Sequence, residues 1–250
     1  MSPKTIAKAI VAQLASWEVE YVFGVCGSDV LPFLDAMKAN GKIKYIAAAH
    51  EAGAAYMATY YAKLTGGLGV CLASAAGAVN LLEGVADAHL NGLPVLALTG
   101  QVARSKIGTP VKQYFRQNAL YDCFTGYTET VADEASALKL LIRAMSRALL
   151  GRKAAHLALP EDIWLKTTQW ETASKPALLG QQMRGRYLKG DVEKAKGLML
   201  ASKYPLVVIG EKGKQVRDEI ISLAERWGAA VVLTQECKGL IPDKWHRVIG

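Results

Sequence analysis

The chain has 250 residues, 51% of them hydrophobic, which is enough for one large or two medium domains with a sizeable core and excludes a disordered chain. Thirty Lys and Arg against 22 Asp and Glu give a formal charge of +8, but the basic residues are dispersed, which argues against a nucleic-acid surface and leaves anionic ligands compatible. Charges interrupt every apolar run short of a membrane span, no signal-peptide core follows Met1, and Cys26, Cys71, Cys123 and Cys237 form no CxxC pair, so a cytoplasmic protein without zinc or disulfides is expected.

Helical patterns alternate with short apolar runs. Residues 5–17 read as a helix with Ile6, Ile10, Val11 and Leu14 on one face, followed by a strand over 21–25 that Gly24 and Gly27 close. A helix over 30–39 ends near Asn40 and Gly41. The run from Lys44 to Ala49 reads as a buried strand, and the helix opening at Glu51 stops at Gly66 and Gly67. A strand over 68–73, a helix over 77–90, a strand over 94–99, an amphipathic helix over 135–150 and a strand over 155–159 follow. Such alternation predicts an α/β fold, a parallel sheet with helices on both faces, over residues 1–166. Residues 100–127 are polar and irregular, which marks a functional loop. Residues 167–190 read as a linker. Residues 191–250 carry helix, strand, helix and strand, an incomplete second α/β domain with too few strands for a stable sheet of its own.

In an open parallel sheet, ligands gather outside the carboxyl ends of the strands. Four segments fall there together: 24–28, His50 with Glu51, 74–80, and 99–102. Gly27 and Gly77 allow close approach of a ligand. Glu51 stands at a helix start, where the dipole favours the charged form, yet among alanines, where desolvation favours the neutral form. A group pulled both ways is a candidate for proton chemistry, although a first-turn Glu can equally serve only its helix. No GxGxxG or P-loop pattern is present.

The ordered motifs Phe23-Gly-Val-x-Gly27, His50-Glu-Ala-Gly-Ala-Ala55, Gly69-Val-Cys-Leu-Ala-Ser-x-x-Gly-Ala-x-Asn80 and Ala86-Asp-Ala-His-x-x-x-x-Pro-Val-Leu-Ala-Leu-Thr-Gly100 resemble the N-terminal, pyrimidine-binding domain of thiamine-diphosphate-dependent enzymes. The acetolactate synthase and pyruvate oxidase group is the nearest. Residues 156–162, 208–210 and 237–242 extend the resemblance through the end of that domain into part of the family's central domain. The resemblance implies that Glu51 hydrogen-bonds a ring nitrogen of the cofactor's aminopyrimidine and favours the imino tautomer, whose nitrogen removes the thiazolium C2 proton. It implies that Asn80 lies beside the pyrimidine, with Gly27 on the cofactor side. It also implies that Gln113, with Gln117 as rival, lies on the loop near the reacting carbon, and that His89 and His156 are structural. The implied activity is decarboxylation of a 2-oxo acid, with pyruvate as the expected substrate, followed by carboligation or, as in pyruvate oxidase, by oxidation.

The sequence departs from the family pattern in places. Cys26 stands where the family has proline, Ala75 and Ala76 replace Gly-Pro, and Gly126 stands where lysine is common. The Gly-Asp-Gly that signs the family's diphosphate-binding domain is not in the sequence. Magnesium is therefore expected to find its ligands in a missing domain or a partner chain, with no metal ligand here. FAD, often carried by the family's central domain, stays open. The chain is expected to be a fragment or one half of a split enzyme, inactive alone, working as a homodimer or with a partner chain. The alternative of another class is a non-catalytic regulatory or binding subunit that retains the fold.

Overall fold

Period-two alternation along the central strands sorts large side chains to one face of a sheet and small ones to the other. In the computed structural model, which describes residues 3–176 and 188–250, these strands belong to the first of two compact units, divided at residues 182 and 183. Its elements run β1 (Lys4–Thr5), α1 (Ile6–Ser16), β2 (Tyr21–Gly24), α2 (Leu31–Asn40), β3 (Lys44–Ala47), α3 (Glu51–Thr65), β4 (Gly69–Ala73), α4 (Ala78–Leu90), β5 (Val95–Gln101), α5 (Gln117–Tyr121), β6 (Thr128–Thr130), α6 (Glu134–Gly151), β7 (Ala154–Pro160) and β8 (Thr167–Thr168). Six strands form one parallel sheet in the order β3-β2-β4-β5-β7-β6.

The register aligns Leu72, Leu98 and Leu157 in one row and Cys71, Ala97 and His156 in the next. The leucine row meets large side chains, among them Ile10 and Leu14 of α1, Phe33 and Met37 of α2, Leu141 and Met145 of α6, and Trp164. The other row meets Ala54, Ala55 and Ala58 of α3 and Leu81 and Val85 of α4. Small residues on that face let α3 and α4 approach closely. A Cβ at Gly84 of α4 would stand 2.6 Å from Ala55 Cβ and 2.8 Å from the Tyr56 backbone nitrogen of α3. Thr59 Oγ1 donates to Ala55 O at 2.8 Å and lies 3.1 Å from Gly84 O, so the one buried hydroxyl at this contact is satisfied. Asp133 caps α6 by accepting from Ser136 N at 2.7 Å, and Gly66 ends α3 in the left-handed region at φ 72°, where only glycine is free of strain.

Three boundaries differ from the sequence expectation. The run at Lys44 is not a buried strand: β3 is an edge strand whose residues are half-buried or exposed, because the sheet continues only on its β2 side. The opposite edge, β6, is the polar Thr-Glu-Thr, which carries no apolar run to reveal it. The linker expected over 167–190 starts too early. Thr167 and Thr168 pair antiparallel with β1, and Gln13 of α1 grips Ala173, donating to its carbonyl at 2.9 Å and accepting from its N–H at 2.8 Å. Residues 177–187 of that stretch lie outside the described residues.

The second unit comprises α7 (Lys189–Ala201), β9 (Leu206–Ile209), α8 (Arg217–Trp227) and β10 (Ala230–Leu233). Its two strands pair in parallel over a small core of Ile209, Ala224, Val231, Cys237 and Ile241.

If the α3–α4 contact is as tight as the geometry requires, Gly84→Ala will cost about 1–3 kcal/mol of stability through overpacking, read as a lower urea midpoint at unchanged slope.

Candidate functional site

The chain leaves β2 for β3 on one side and returns for β4 on the other, so the topological switch point lies between β2 and β4. The turns after these strands and the head of α3 surround it. His50 caps α3: its backbone is extended and its Nδ1 accepts from Ala52 N at 3.2 Å. This puts Glu51 in the first helical position, half-buried, with its side chain across the turn after β4. Glu51 Oε2 accepts from Asn80 Nδ2 at 3.1 Å. Its other oxygen lies over Gly77, where a Cβ would stand 2.5 Å from Oε1, so a side chain there would push the Glu51 carboxyl from this position. The alanines of α3 do not enclose the carboxylate, as the sequence suggested. They face α4 and the sheet, and Glu51 keeps a partly exposed carboxyl.

Glu51 and Asn80 are thus brought together, and Gly27 is not joined to them. The space beside Gly27 is taken by the chain itself: a Cβ there would meet Ser74 Cβ at 2.4 Å and Asp29 Oδ1 at 3.1 Å. Asp29, which no motif singled out, joins three of the strand-end turns. Its Oδ2 accepts from Ala75 N at 2.7 Å, and the carboxylate rests on Gly100, where a Cβ would stand 2.0 Å from Oδ2. Burial pushes the Asp29 carboxyl above its ordinary value. The Ala75 N–H opposes this, and the charge of Glu161 adds to it.

The two loop glutamines separate. Gln113 is exposed and holds φ 70°, a left-handed conformation that costs a non-glycine residue about 1 kcal/mol or more. Gln117 is 1% exposed, donates from Nε2 to Gly100 O at 2.8 Å and accepts from Thr99 Oγ1 at 2.5 Å. It ends a buried chain of hydrogen bonds. Thr128 Oγ1 and His156 Nδ1 are 2.7 Å apart, and His156 Nε2 and Thr99 Oγ1 are 2.8 Å apart. Since the Thr99 hydroxyl donates to Gln117, His156 must donate from Nε2 and accept at Nδ1 from Thr128. The ring is neutral; full burial pushes its pKa down to about 3. Tyr121 stacks on it with centroids 3.7 Å apart, and its hydroxyl donates to Ala78 O at 2.7 Å, which fixes the start of α4 two residues before Asn80.

The loop from 102 onward is anchored at its base. Arg104 donates from its backbone N to Asp162 Oδ1 at 2.9 Å, from Nε to Asp162 Oδ2 at 2.8 Å and from Nη1 to Ala132 O at 3.2 Å. Burial pushes the Asp162 carboxyl up, but these Arg104 contacts outweigh it and hold the carboxyl below its ordinary value. Beyond the anchor, Ile107, Tyr114, Phe115, Arg116 and Thr130 line a hollow of about 390 Å³. Among the described residues, no group of three or more His, Cys, Asp or Glu is placed to hold a metal ion.

The family model described as the thiamine pyrophosphate enzyme N-terminal TPP binding domain matches residues 4–125. The chain is 29% identical over 259 residues to a putative thiamine pyrophosphate-containing protein, YdaP, of Bacillus subtilis, an alignment covering 100% of this chain and 44% of that protein. It is 32% identical over 254 residues to an acetolactate synthase of Mycobacterium bovis, with 98% of this chain and 40% of the relative covered. To a pyruvate oxidase of Lactiplantibacillus plantarum it is 27% identical over 251 residues, covering 97% and 41%. The chain therefore spans about two-fifths of the length of these relatives.

The buried His156 makes the fold acid-sensitive. The folded state refuses, down to about pH 3, a proton that the unfolded chain accepts near 6.5. Its contribution is complete above pH 6.5 and is lost below it at up to about 1.4 kcal/mol per pH unit. Urea midpoints taken from pH 7.5 to 5 will fall accordingly, and His156→Gln will flatten that slope.

Proposed function

The chain belongs to the thiamine pyrophosphate enzymes, and from that premise we propose that it is the N-terminal portion of an enzyme that uses thiamine diphosphate to decarboxylate a 2-oxo acid. Pyruvate is the substrate of this reading, with transfer of the resulting carbon unit to a second 2-oxo acid, as the name of the acetolactate synthase relative implies. The pyruvate oxidase relative supports the variant in which that carbon unit is oxidised instead.

The observation that carries the reading is the Glu51 carboxyl, displayed at the switch point of the sheet and steadied by Asn80 and Gly77. These residues fit the pyrimidine end of the cofactor. Glu51 retains a partly exposed carboxyl that can pass a proton to a ring nitrogen, and Asn80, which gives one N–H to Glu51, keeps its second N–H and its oxygen for a ligand. When bound, the cofactor supplies the electron sink for loss of carbon dioxide. The contribution of this chain is to hold the ring against the turn at Gly77 and to manage the proton at Glu51. The diphosphate and Mg2+ call for oxygen ligands, which this reading assigns to a further domain or a partner chain.

For FAD, the second unit offers one supporting feature. A hollow of about 490 Å³ opens at Gly210, Lys212 and Gly213, past the carboxyl end of β9, the end of a parallel strand where nucleotides gather. A second copy of the chain is the partner the first unit supports. Met57, Tyr60 and Leu64 expose an apolar stripe on α3, with Val79 and Leu90 on α4, the helices that carry Glu51 and Asn80. Among the described residues no helix is long and apolar enough to cross a membrane. One observation favours the second reading, a non-catalytic regulatory or binding subunit: the space that Gly27 could offer a ligand is filled by Ser74 and Asp29.

In the enzyme assembled with its diphosphate-binding part, Glu51→Gln will slow C2 proton exchange of the bound cofactor by at least about a hundredfold, with the thermal midpoint unchanged. Exchange at the wild-type rate would refute the role. Calorimetry of the 250-residue chain alone with thiamine diphosphate and Mg2+ will show no micromolar binding. Such binding would mean that the diphosphate site is built within this chain.

A further inference from the structure

We propose that Asp29 is a positioning residue for the Glu51 site, setting the turn at residues 74–77 against which the Glu51 carboxyl lies. The inference rests on Glu51 being the functional centre.

Three contacts meet at one carboxylate. Asp29 belongs to the turn after β2, its Oδ2 takes the N–H of Ala75 in the turn after β4 at 2.7 Å, and it sits directly on the backbone of Gly100 in β5. The three points come from three neighbouring strands, so the carboxylate fixes their carboxyl ends relative to one another. Ala75 is two residues before Gly77, the residue whose missing side chain admits Glu51, and five before Asn80, which donates to Glu51. Asp29 itself does not touch Glu51 in any recorded contact; its influence passes through the turn.

The segment so held has few side chains that could hold it. Ala75 is buried, but Ala76 is exposed, and neither side chain can make a hydrogen bond. The other hydrogen bonds of the segment are Gly77 N on Ser74 Oγ at 3.4 Å, Ala78 N on Ser74 O at 3.0 Å and on Ala75 O at 3.4 Å, and Leu81 N on Gly77 O at 3.0 Å, all local to the turn and the first turn of α4. Ala75 N on Asp29 ties the turn to the end of a neighbouring strand, and it is short and charge-assisted. The carboxylate is also kept at a cost, since burial and the Glu161 charge both work against its ionised form.

The test needs no cofactor and uses the full chain labelled with 15N. In Asp29→Ala, the Ala75 amide will exchange with solvent about tenfold or more faster, the loss expected for one charge-assisted hydrogen bond. The Asn80 side-chain amide resonances will shift with it, because the turn that seats Glu51 has moved. Asp29→Asn, which keeps one oxygen for Ala75 N, will restore most of both readouts, and it serves as the milder variant should Asp29→Ala fold poorly. A lower thermal midpoint in Asp29→Ala, with Ala75 exchange and Asn80 resonances at their wild-type values, would overturn the proposal and leave Asp29 a fold stabiliser. None of these readouts depends on what Glu51 does to a cofactor. Failure of the Glu51→Gln exchange test and failure of this one are therefore separate outcomes.

Discussion

The close packing of α3 on α4 is the constraint on which the site depends. Glu51 stands at the head of one helix and Asn80 near the head of the other, and their hydrogen bond exists only because the two axes run nearly in contact. That approach rests on alanine at positions 54, 55 and 58 and glycine at 84, over a strand row in which Cys71 and Ala97 are small. The row carries larger rings at both ends, Phe23 of β2 beside Cys71 and His156 of β7 beside Ala97, the latter stacked on Tyr121. The opposite face of the sheet supplies the bulk of the apolar burial, so the two faces divide the labour between holding the fold and shaping the site.

A second layer of order lies in where polar groups are hidden. Thr99, Gln117, His156 and Thr128 form a one-directional chain of donors that ends on Gly100 O, and Gly100 is also where Asp29 rests. The end of β5 is therefore held from both of its sides, once by neutral hydrogen bonds and once by a charge. A fully satisfied network of this kind rigidifies its surroundings more than isolated pairs do.

Much of this was legible in the amino-acid sequence. The helix at Glu51 and its stop at Gly66 follow from a run of alanines and a glycine, both local signals, whereas its His50 cap shows only in the structure. The period-two sorting of Leu72 and Leu98 from Cys71 and Ala97 is likewise written in the strands. What was not legible depends on partners far away in the chain. Asp29 looks like any polar turn residue until Ala75 and Gly100, 46 and more positions on, are seen beneath it. Gln117 looks solvated in a polar loop, and only the fold buries it against Thr99. The edge strands were misjudged for a related reason: Tyr45 and Ile46 are apolar enough to suggest an interior strand, and Thr128–Thr130 too polar to suggest any, because sheet position is a property of topology and not of composition.

The two faces of the sheet will also drift differently over generations. On the leucine face, one large residue can be exchanged for another of similar volume with neighbours readjusting, so many sequences serve equally well. On the other face, where Gly84 of α4 meets Ala55 of α3, there is no slack to absorb a larger residue. Lineages that descend from this chain will therefore look divergent through α1, α2 and α6 and nearly frozen along the inner sides of α3 and α4, whether or not they keep its chemistry.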